Sequence, residues 1–279
     1  MKLLFIADPL ESFKIYKDST LAMMVAAQRK GHKIYYAWAN SLASFGAQVT
    51  AQISQIQVDK LASPWFKKDQ EQRMDLCDFD AIIMRQDPPF TAEYLANTLL
   101  LSQAKRLGAK IFNAPEALRD HSEKVAILEF AELIAPTIIT RDIAVIREFH
   151  QKYQDIIIKP LDGMGGMGVF RVGPDGLNLG SIVETLGDNG IRSLMIQKYI
   201  PQIVDGDNRI LLINGEPIPY LLARIPQTGD IRGNLAAGGK GVARPLKDSE
   251  IEIAKKIGDK LAKRGLFLVG IDMIGEYLT

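Results

Sequence analysis

The sequence predicts an α/β protein that opens with a doubly wound parallel sheet and continues into α+β units. Three observations predict it. Short runs rich in β-branched residues alternate with helix-period segments as far as about residue 120, the pattern of strand–helix–strand units. The first of these runs is apolar almost throughout, as a parallel strand covered on both faces is. Beyond residue 136, strands and helices flank two glycine-rich stretches, at 163–168 and 225–241.

Composition removes several function classes. The 279 residues suffice for two or three packed units. A net charge of +1 gives no bulk electrostatic case for nucleic acid or a membrane surface. The single Cys77 allows no internal disulfide, fits a reducing cytosol, and reads as core filler rather than nucleophile. Residues 1–7 run straight into Asp8-Pro9, too early a break for a signal peptide. No apolar run approaches the ~20 residues of a membrane helix. The expected location is the cytoplasm.

Residues 2–8 are the first strand. The turn after it, residues 8–18, has no glycine, which argues against a dinucleotide fingerprint. Ser19 or Thr20 is expected to cap a helix carrying Leu21, Met24, Val25 and Gln28, closed by Gly31, with its methionines in the core. Lys33–Trp38 is a second strand. Residues 45–58 alternate weakly, as an exposed hairpin would, and Trp65-Phe66 with the charges up to Arg73 reads as a surface excursion. Residues 79–85 form the next strand and place Arg85 at the carboxyl end of a parallel strand, where open α/β sheets bind ligands. A surface arginine paired with Asp87 is an equal alternative. Residues 91–106 give an amphipathic helix ended by Gly108, and 110–112 a strand.

Ser122 is expected to cap a helix through Phe130, with Lys124 in its first turn. The helix dipole disfavours a cation there unless an anion is near; a solvated lysine is the alternative. His121 is one of only three histidines, so a histidine metal site or charge relay has no support. From 136 to 199 the pattern is strand (137–140), helix (143–152), strand (155–160), glycine turn, strand (169–172), helix (179–186) and strand (193–199). The turn is Lys159-Pro-Leu-Asp-Gly-Met-Gly-Gly-Met-Gly168. Its glycines, Gly163, Gly165, Gly166 and Gly168, let backbone N–H groups approach an anion. Alone they read as an ordinary surface turn; the lysine before them shifts the balance toward nucleotide phosphates. Residues 197–201 form a hinge where Lys198 to Ile200 suit an adenine ring, a plain crossover being the alternative.

Arg209 enters a strand at 210–213, Asn214-Gly215 signals a type I′ hairpin, and the partner strand 217–224 ends on Arg224. In the stretch 225–241, Arg232, Asn234 and the pair Gly238-Gly239 give the composition of a lid closing over an anionic ligand. Residues 248–264 are a helix and 266–275 a final strand. Asp272 inside that strand requires a metal ion or a basic partner. Three domains are expected: 1–121, 122–200 and 201–279. Two glycine loops, the cations Lys124, Lys159, Arg209 and Arg224, and one strand carboxylate suit nucleotide phosphates with a divalent metal, where positioning and charge neutralisation dominate catalysis. No Ser/His/Asp or Cys/His set competes, and neither the P-loop nor the kinase motif is present.

Four motifs carry a family resemblance. Met84-Arg-Gln-Asp-Pro-Pro-Phe90, Lys159-Pro-Leu-Asp-Gly-Met-Gly-Gly166, Arg224-Ile-Pro-Gln227 and Arg232-Gly-Asn-Leu-Ala-Ala-Gly-Gly239 resemble the bacterial glutathione synthetases of the ATP-grasp superfamily, and the resemblance runs over the whole chain. It implies an ATP-grasp fold preceded by a doubly wound pre-ATP-grasp domain. It also implies ligation of γ-glutamylcysteine and glycine through an acyl phosphate, consuming ATP. By the same resemblance Lys124 and Lys159 contact ATP phosphates under a flap bearing Gly163, Gly165 and Gly166. Gln197, Lys198, Tyr199 and Ile200 hold adenine with Asp207 on the ribose. Arg85 and Lys17 bind the dipeptide. Arg209, Arg224 and Arg232 serve the transferring phosphoryl group, and Asn234 and Gly239 lie in the loop over the acyl phosphate. Asp272 holds Mg2+, or Mn2+ in its place, and a homotetramer is implied.

The family's Glu-x-Asn metal motif, expected on the strand after Asp272, is absent before Thr279. A natural chain that continues past this residue is the expectation. Another ATP-grasp carboxylate–amine ligase and a non-catalytic nucleotide-binding module are the alternatives.

Overall fold

The structure, a computed structural model, describes all 279 residues and divides into two compact units. The first comprises Met1–Asp120 with Arg264–Leu266; the second comprises His121–Lys263 with Phe267–Thr279.

The first unit runs β1 (Lys2–Ala7), α1 (Ser19–Arg29), β2 (Lys33–Trp38), β3 (Ala43–Phe45), β4 (Gln48–Val58), β5 (Phe66–Lys68), β6 (Gln72–Asp75), β7 (Ala81–Arg85), α2 (Ala92–Arg106), β8 (Ile111–Phe112) and α3 (Pro115–Asp120). Its sheet has the order β3-β4-β2-β1-β7-β8, with β5 and β6 also paired to β4. β1 lies parallel between β2 and β7. Leu4 and Ile6 pack with Ile82 and Leu101, while Phe5 and Ala7 pack with Leu21 and Met24. Both faces are covered, which is why the strand reads as an unbroken apolar run.

Four sequence expectations need correction here. The segment 45–58 is no exposed hairpin: β4 is an eleven-residue strand antiparallel to β2, burying Val49, Ala51, Ile53, Ile56 and Val58. Its apolar residues change face midway, Val49, Ala51 and Ile53 packing into one core cluster and Ile56 and Val58 into the other, which weakens the alternation read along the strand. The excursion near Trp65 supplies two further strands, and the Trp65 indole is buried against Phe13 at 5.6 Å. Asp18, not Ser19 or Thr20, caps α1, its Oδ1 accepting from the Leu21 N–H at 2.8 Å. Cys77 is exposed rather than core filler, and burial of its sulfur region with the nearby Asp75 charge raises its thiol pKa, away from thiolate reactivity.

The second unit opens with a 3-10 segment, Val125–Leu133, kinked at Phe130, where an α-helix capped by Ser122 was expected. It continues through β9 (Thr137–Thr140), α4 (Ile143–Tyr153), β10 (Ile156–Pro160), β11 (Phe170–Val172), α5 (Leu179–Leu186) and β12 (Leu194–Lys198). These strands make a sheet of order β11-β10-β12-β9, all antiparallel. Ile156, Ile158, Leu194 and Ile196 point to one face and pack with Ile146, Phe149 and Val183 of the two helices. Then follow β13 (Asp207–Ile213), β14 (Glu216–Ile225), β15 (Lys240–Pro245), α6 (Asp248–Lys263), β16 (Leu268–Ile274) and β17 (Tyr277–Leu278). Their sheet has the order β15-β14-β13-β16-β17. The β13–β14 turn has φ of 50° at Asn214 and 87° at Gly215, as a type I′ turn requires. β16 is not the last strand, since the chain turns at Gly275 and pairs again as β17. No helix is long and apolar enough to cross a membrane.

Candidate nucleotide and ligation site

Strand period places the charges. On β13, Asp207 and Arg209 are two residues apart and share one face, while Ile210 and Leu212 are buried on the other. The register sets Asp207 opposite Arg224 of β14, and Arg209 opposite Asp272 of β16. Four charged side chains therefore meet on three adjacent strands. Arg209 grips Asp272 through Nε to Oδ1 and through Nη2 to Oδ2 at 2.7 Å. Arg224 Nη2 lies 2.8 Å from Asp272 Oδ1 and also donates to Asp207 Oδ2. Asp272, expected to need a metal or a basic partner, has two arginines. Gly270 makes room: a Cβ there would stand 2.9 Å from Arg209 Cδ, so the arginine stem lies flat across the strand only above a glycine.

These partners set the ionisation. Burial opposes charge on Asp272, yet hydrogen bonds from Arg209 and then Arg224 hold its carboxyl below the usual range. Asp207 goes the other way: burial and the Asp272 charge push it up to about 6, against the two arginines. Its Oδ1 has no hydrogen-bond partner. Lys159, at the end of β10, is pushed down to about 8 by burial and then by Lys124, with Asp207 and Asp272 pulling it back. The lysine is thus in electrostatic reach of the quartet, and three cations face two carboxylates. That surplus suits an incoming polyanion.

Lys124 does not project as a free cation. Its Nζ donates to the Gly163 carbonyl and, at 3.4 Å, to the Leu161 carbonyl, pinning the root of the glycine flap; burial lowers its pKa. The flap meets the second glycine stretch. Gly166, at φ 86°, has no room for a side chain, because a Cβ would fall 2.8 Å from Asn234 Oδ1; one at Gly165 would lie 3.3 Å from Ala236. Across the turn Gly163 itself is pressed against Pro160. The expected lid is an ordered fold-back: Gln227 Nε2 donates to the Gly238 carbonyl at 2.7 Å, and a Cβ on Gly239 would stand 2.1 Å from the Gly233 carbonyl. Asp230 holds the Arg232 guanidinium, Nη2 to Oδ2 at 2.7 Å.

At the hinge, Gln197 is buried and donates to Thr137 Oγ1 at 3.0 Å, on the same sheet face as Ile157. Lys198 stands opposite Ile156 and so points to the other face from Lys159, leaving only its main chain level with the Lys159 face. The Lys198 N–H is donated to the Pro136 carbonyl and the Tyr199 N–H to the Asp155 carbonyl, both at 2.9 Å. Ile200 is buried. A contact the sequence did not reveal lies beside it. Arg171 of β11 forks onto Asp155, Nε to Oδ1 at 2.9 Å and Nη2 to Oδ2 at 2.6 Å, with its guanidinium 3.7 Å from the Tyr199 ring centroid.

In the first unit, Arg85 ends β7 and is held by hydroxyls: Nε donates to Thr20 Oγ1 and Nη2 to Ser19 Oγ, both at 3.0 Å. The alternative pairing with Asp87 is not formed; the Asp87 N–H donates to Asp8 Oδ2 instead. The two residues expected to cap α1 are what orient this guanidinium. Lys17 sits in the exposed turn before α1, its ammonium 5.6 Å from the Tyr16 ring.

Family models match both units. That for the N-terminal domain of prokaryotic glutathione synthetase covers residues 1–119, and that for its ATP-grasp domain covers residues 123–279. The chain belongs to the prokaryotic glutathione synthetase family. It is 52% identical over 279 residues to the glutathione synthetase of Ralstonia nicotianae, spanning 100% of this chain and 86% of that protein. To that of Neisseria meningitidis serogroup B it is 50% identical over 283 residues, spanning 100% and 89%. Among solved structures it is similar in fold to D-cycloserine synthetase DcsG (TM-score 0.67, 15% identity, 97% of this chain and 86% of that one). It is likewise similar to a RimK domain ATP-grasp protein from Sphaerobacter thermophilus (TM-score 0.63, 16% identity, 100% and 89%). The fold is ATP-grasp.

Proposed function

We propose that this chain is a glutathione synthetase, joining γ-glutamylcysteine to glycine with ATP. The observation that carries the reading is the quartet of Asp207, Arg209, Arg224 and Asp272 beside Lys159, in a chain about half identical to named glutathione synthetases over its full length. The reaction has two steps. A cysteinyl carboxylate oxygen attacks the γ-phosphorus of ATP and ADP leaves. The glycine amine then attacks the acyl carbon, the bond to phosphate breaks, and the amine loses a proton.

Each group has a proposed role. Lys159 and Lys124 meet the phosphates; Lys124 releases the flap carbonyls as it does so, and the flap at Gly163, Gly165 and Gly166 closes over them. The main chain of Gln197, Lys198, Tyr199 and Ile200 borders the base, and Asp207 takes the ribose through its unpartnered oxygen. Arg209 and Arg224 offset charge on the transferring phosphoryl group, already oriented by their carboxylates. Arg232, Asn234 and Gly239 belong to the segment that keeps water from the acyl phosphate. Arg85, with Lys17, takes the dipeptide.

Asp272 would hold a magnesium ion, or manganese in its place. Both Asp272 oxygens are engaged by Arg209 and Arg224, so an ion there would replace one of these contacts and take its remaining ligands from substrate phosphates and water. Bound there, the ion neutralises phosphate charge. A homotetramer acting in the cytoplasm on small molecules completes the proposal.

The test is ADP release with magnesium, ATP, γ-glutamylcysteine and glycine, omitting each in turn. Dependence on all four supports the ligase. Release that ignores γ-glutamylcysteine but follows another amino acid removes it.

A further inference from the structure

The Arg171 contacts are more elaborate than stability needs. An ion pair this exposed, with the Arg171 side chain 41% and that of Asp155 26% accessible, is screened by solvent and adds little to folding. Yet Asp155 reaches Tyr199 by two routes, one direct and one through Arg171. Its carbonyl accepts the Tyr199 N–H, and its carboxylate, taken bidentately, fixes the plane of the guanidinium that lies against the Tyr199 ring. The guanidinium is locked by the fork at one side and lies against the tyrosine ring on its face, which restrains the ring. Tyr199 stands between Lys198 and buried Ile200, in the segment read above as the border of the base. Arg171 belongs to β11, which begins two residues after the last flap glycine, Gly168. Arg171 therefore ties the Tyr199 ring to the strand that leaves the flap and, through Asp155, to the start of the one that enters it.

We propose that Arg171 is a positioning residue for the nucleotide base: it holds the Tyr199 ring, and through it the hinge backbone, in the arrangement that distinguishes adenine from other bases. This rests on the reading of 197–200 as the base-binding hinge. Arg171 does not touch the reacting atoms. Its effect falls on nucleotide affinity and base choice, not on the dipeptide.

The test is calorimetric titration of the whole chain with the non-hydrolysed analogues of ATP and GTP and, separately, with γ-glutamylcysteine, so that no turnover is required. Arg171→Ala is expected to weaken the ATP analogue about tenfold, as loss of an oriented cation–π contact does. It should also shrink the preference for adenine over guanine, leave γ-glutamylcysteine affinity unchanged, and keep Tm within about 3 °C. Arg171→Lys keeps the charge over the ring without the fork and is expected to recover part of the loss. Tyr199→Leu should reproduce the alanine phenotype, and the double variant should be no worse than either single one.

An Arg171→Ala protein with unchanged affinity and base preference overturns the positioning role and leaves the ligase reading standing. So does one that loses both ligands equally along with its Tm. A wild-type chain that binds the ATP analogue without preferring it over the GTP analogue overturns the hinge reading, and the inference with it.

Discussion

Arg224 and Arg85 are both arginines at strand ends in proposed binding positions, and the fold treats them in opposite ways. Arg224 is 6% accessible and bonded to two carboxylates. Arg85 has no carboxylate partner and is steadied by two neutral hydroxyls. A cation already tied to acids meets a ligand by exchanging partners. One steadied by hydroxyls keeps its whole charge for the ligand. On the proposed roles, the first arrangement supplies a fixed field for a short-lived charge and the second a docking point.

The comparison breaks most visibly at Arg224. Arg224→Ala strands the Asp207 carboxylate in a buried place, so stability should fall by about 3–5 kcal/mol and ligation should be lost; urea unfolding measures the first. The fall should be smaller at pH 5 than at pH 8, because Asp207, already raised to about 6, becomes protonated and no longer needs a partner. An equal fall at both pH values would mean that the pair is not what the arginine supports.

Lys159 offers the next effect, of opposite sign. Its pKa is depressed to about 8, so the folded state gives up this proton before the unfolded chain does, and below pH 8 the buried charge costs stability. Lys159→Met should therefore be more stable than wild type at pH 7, by up to about 2–3 kcal/mol, while losing ATP affinity. The gain should vanish as pH rises from about 8 to about 10.5, and Tm against pH for both proteins checks it.

Arg85→Ala should change stability by no more than about 1 kcal/mol, since only hydrogen bonds to hydroxyls are lost. Its KM for γ-glutamylcysteine should rise far more than its KM for ATP; equal rises would remove its proposed role. Gly166→Ala should cost about 1–2 kcal/mol, because Gly166 sits at φ 86°, and should raise the KM for ATP several-fold, because the new methyl must displace Asn234 from the flap. Adding Asn234→Ala should restore part of that affinity.

Much of the second unit was legible because its strands alternate cleanly. Once period 2 is read on 207–213 and on the strand with Asp272, the burial of Ile210 and Leu212 leaves the charged residues on a common face. The pairings were not legible, because register comes from the Asn214-Gly215 turn and from strand order, which residue spacing does not specify. In the first unit β4 misled for a physical reason: a single alternation marks a strand with one wet face, and β4 changes the face it buries between Ile53 and Ile56. The hydroxyls of Ser19 and Thr20 looked like caps because cap and ligand chemistry use the same short side chains; Asp18, one residue earlier, was the stronger acceptor. The Arg171 fork joins residues sixteen apart and a ring twenty-eight away, and no local motif announces it.

The two routes from Asp155 to Tyr199 also have a consequence in time. The Tyr199 amide is held by the residue that introduces β10, and its ring by a side chain on β11. Opening either strand therefore loosens the segment 197–200, proposed above as the border of the base. Amide hydrogen exchange at Tyr199 should follow the opening of that hairpin and, if 197–200 borders the base as proposed, so should the release of a nucleotide, paced by the unzipping of two short strands.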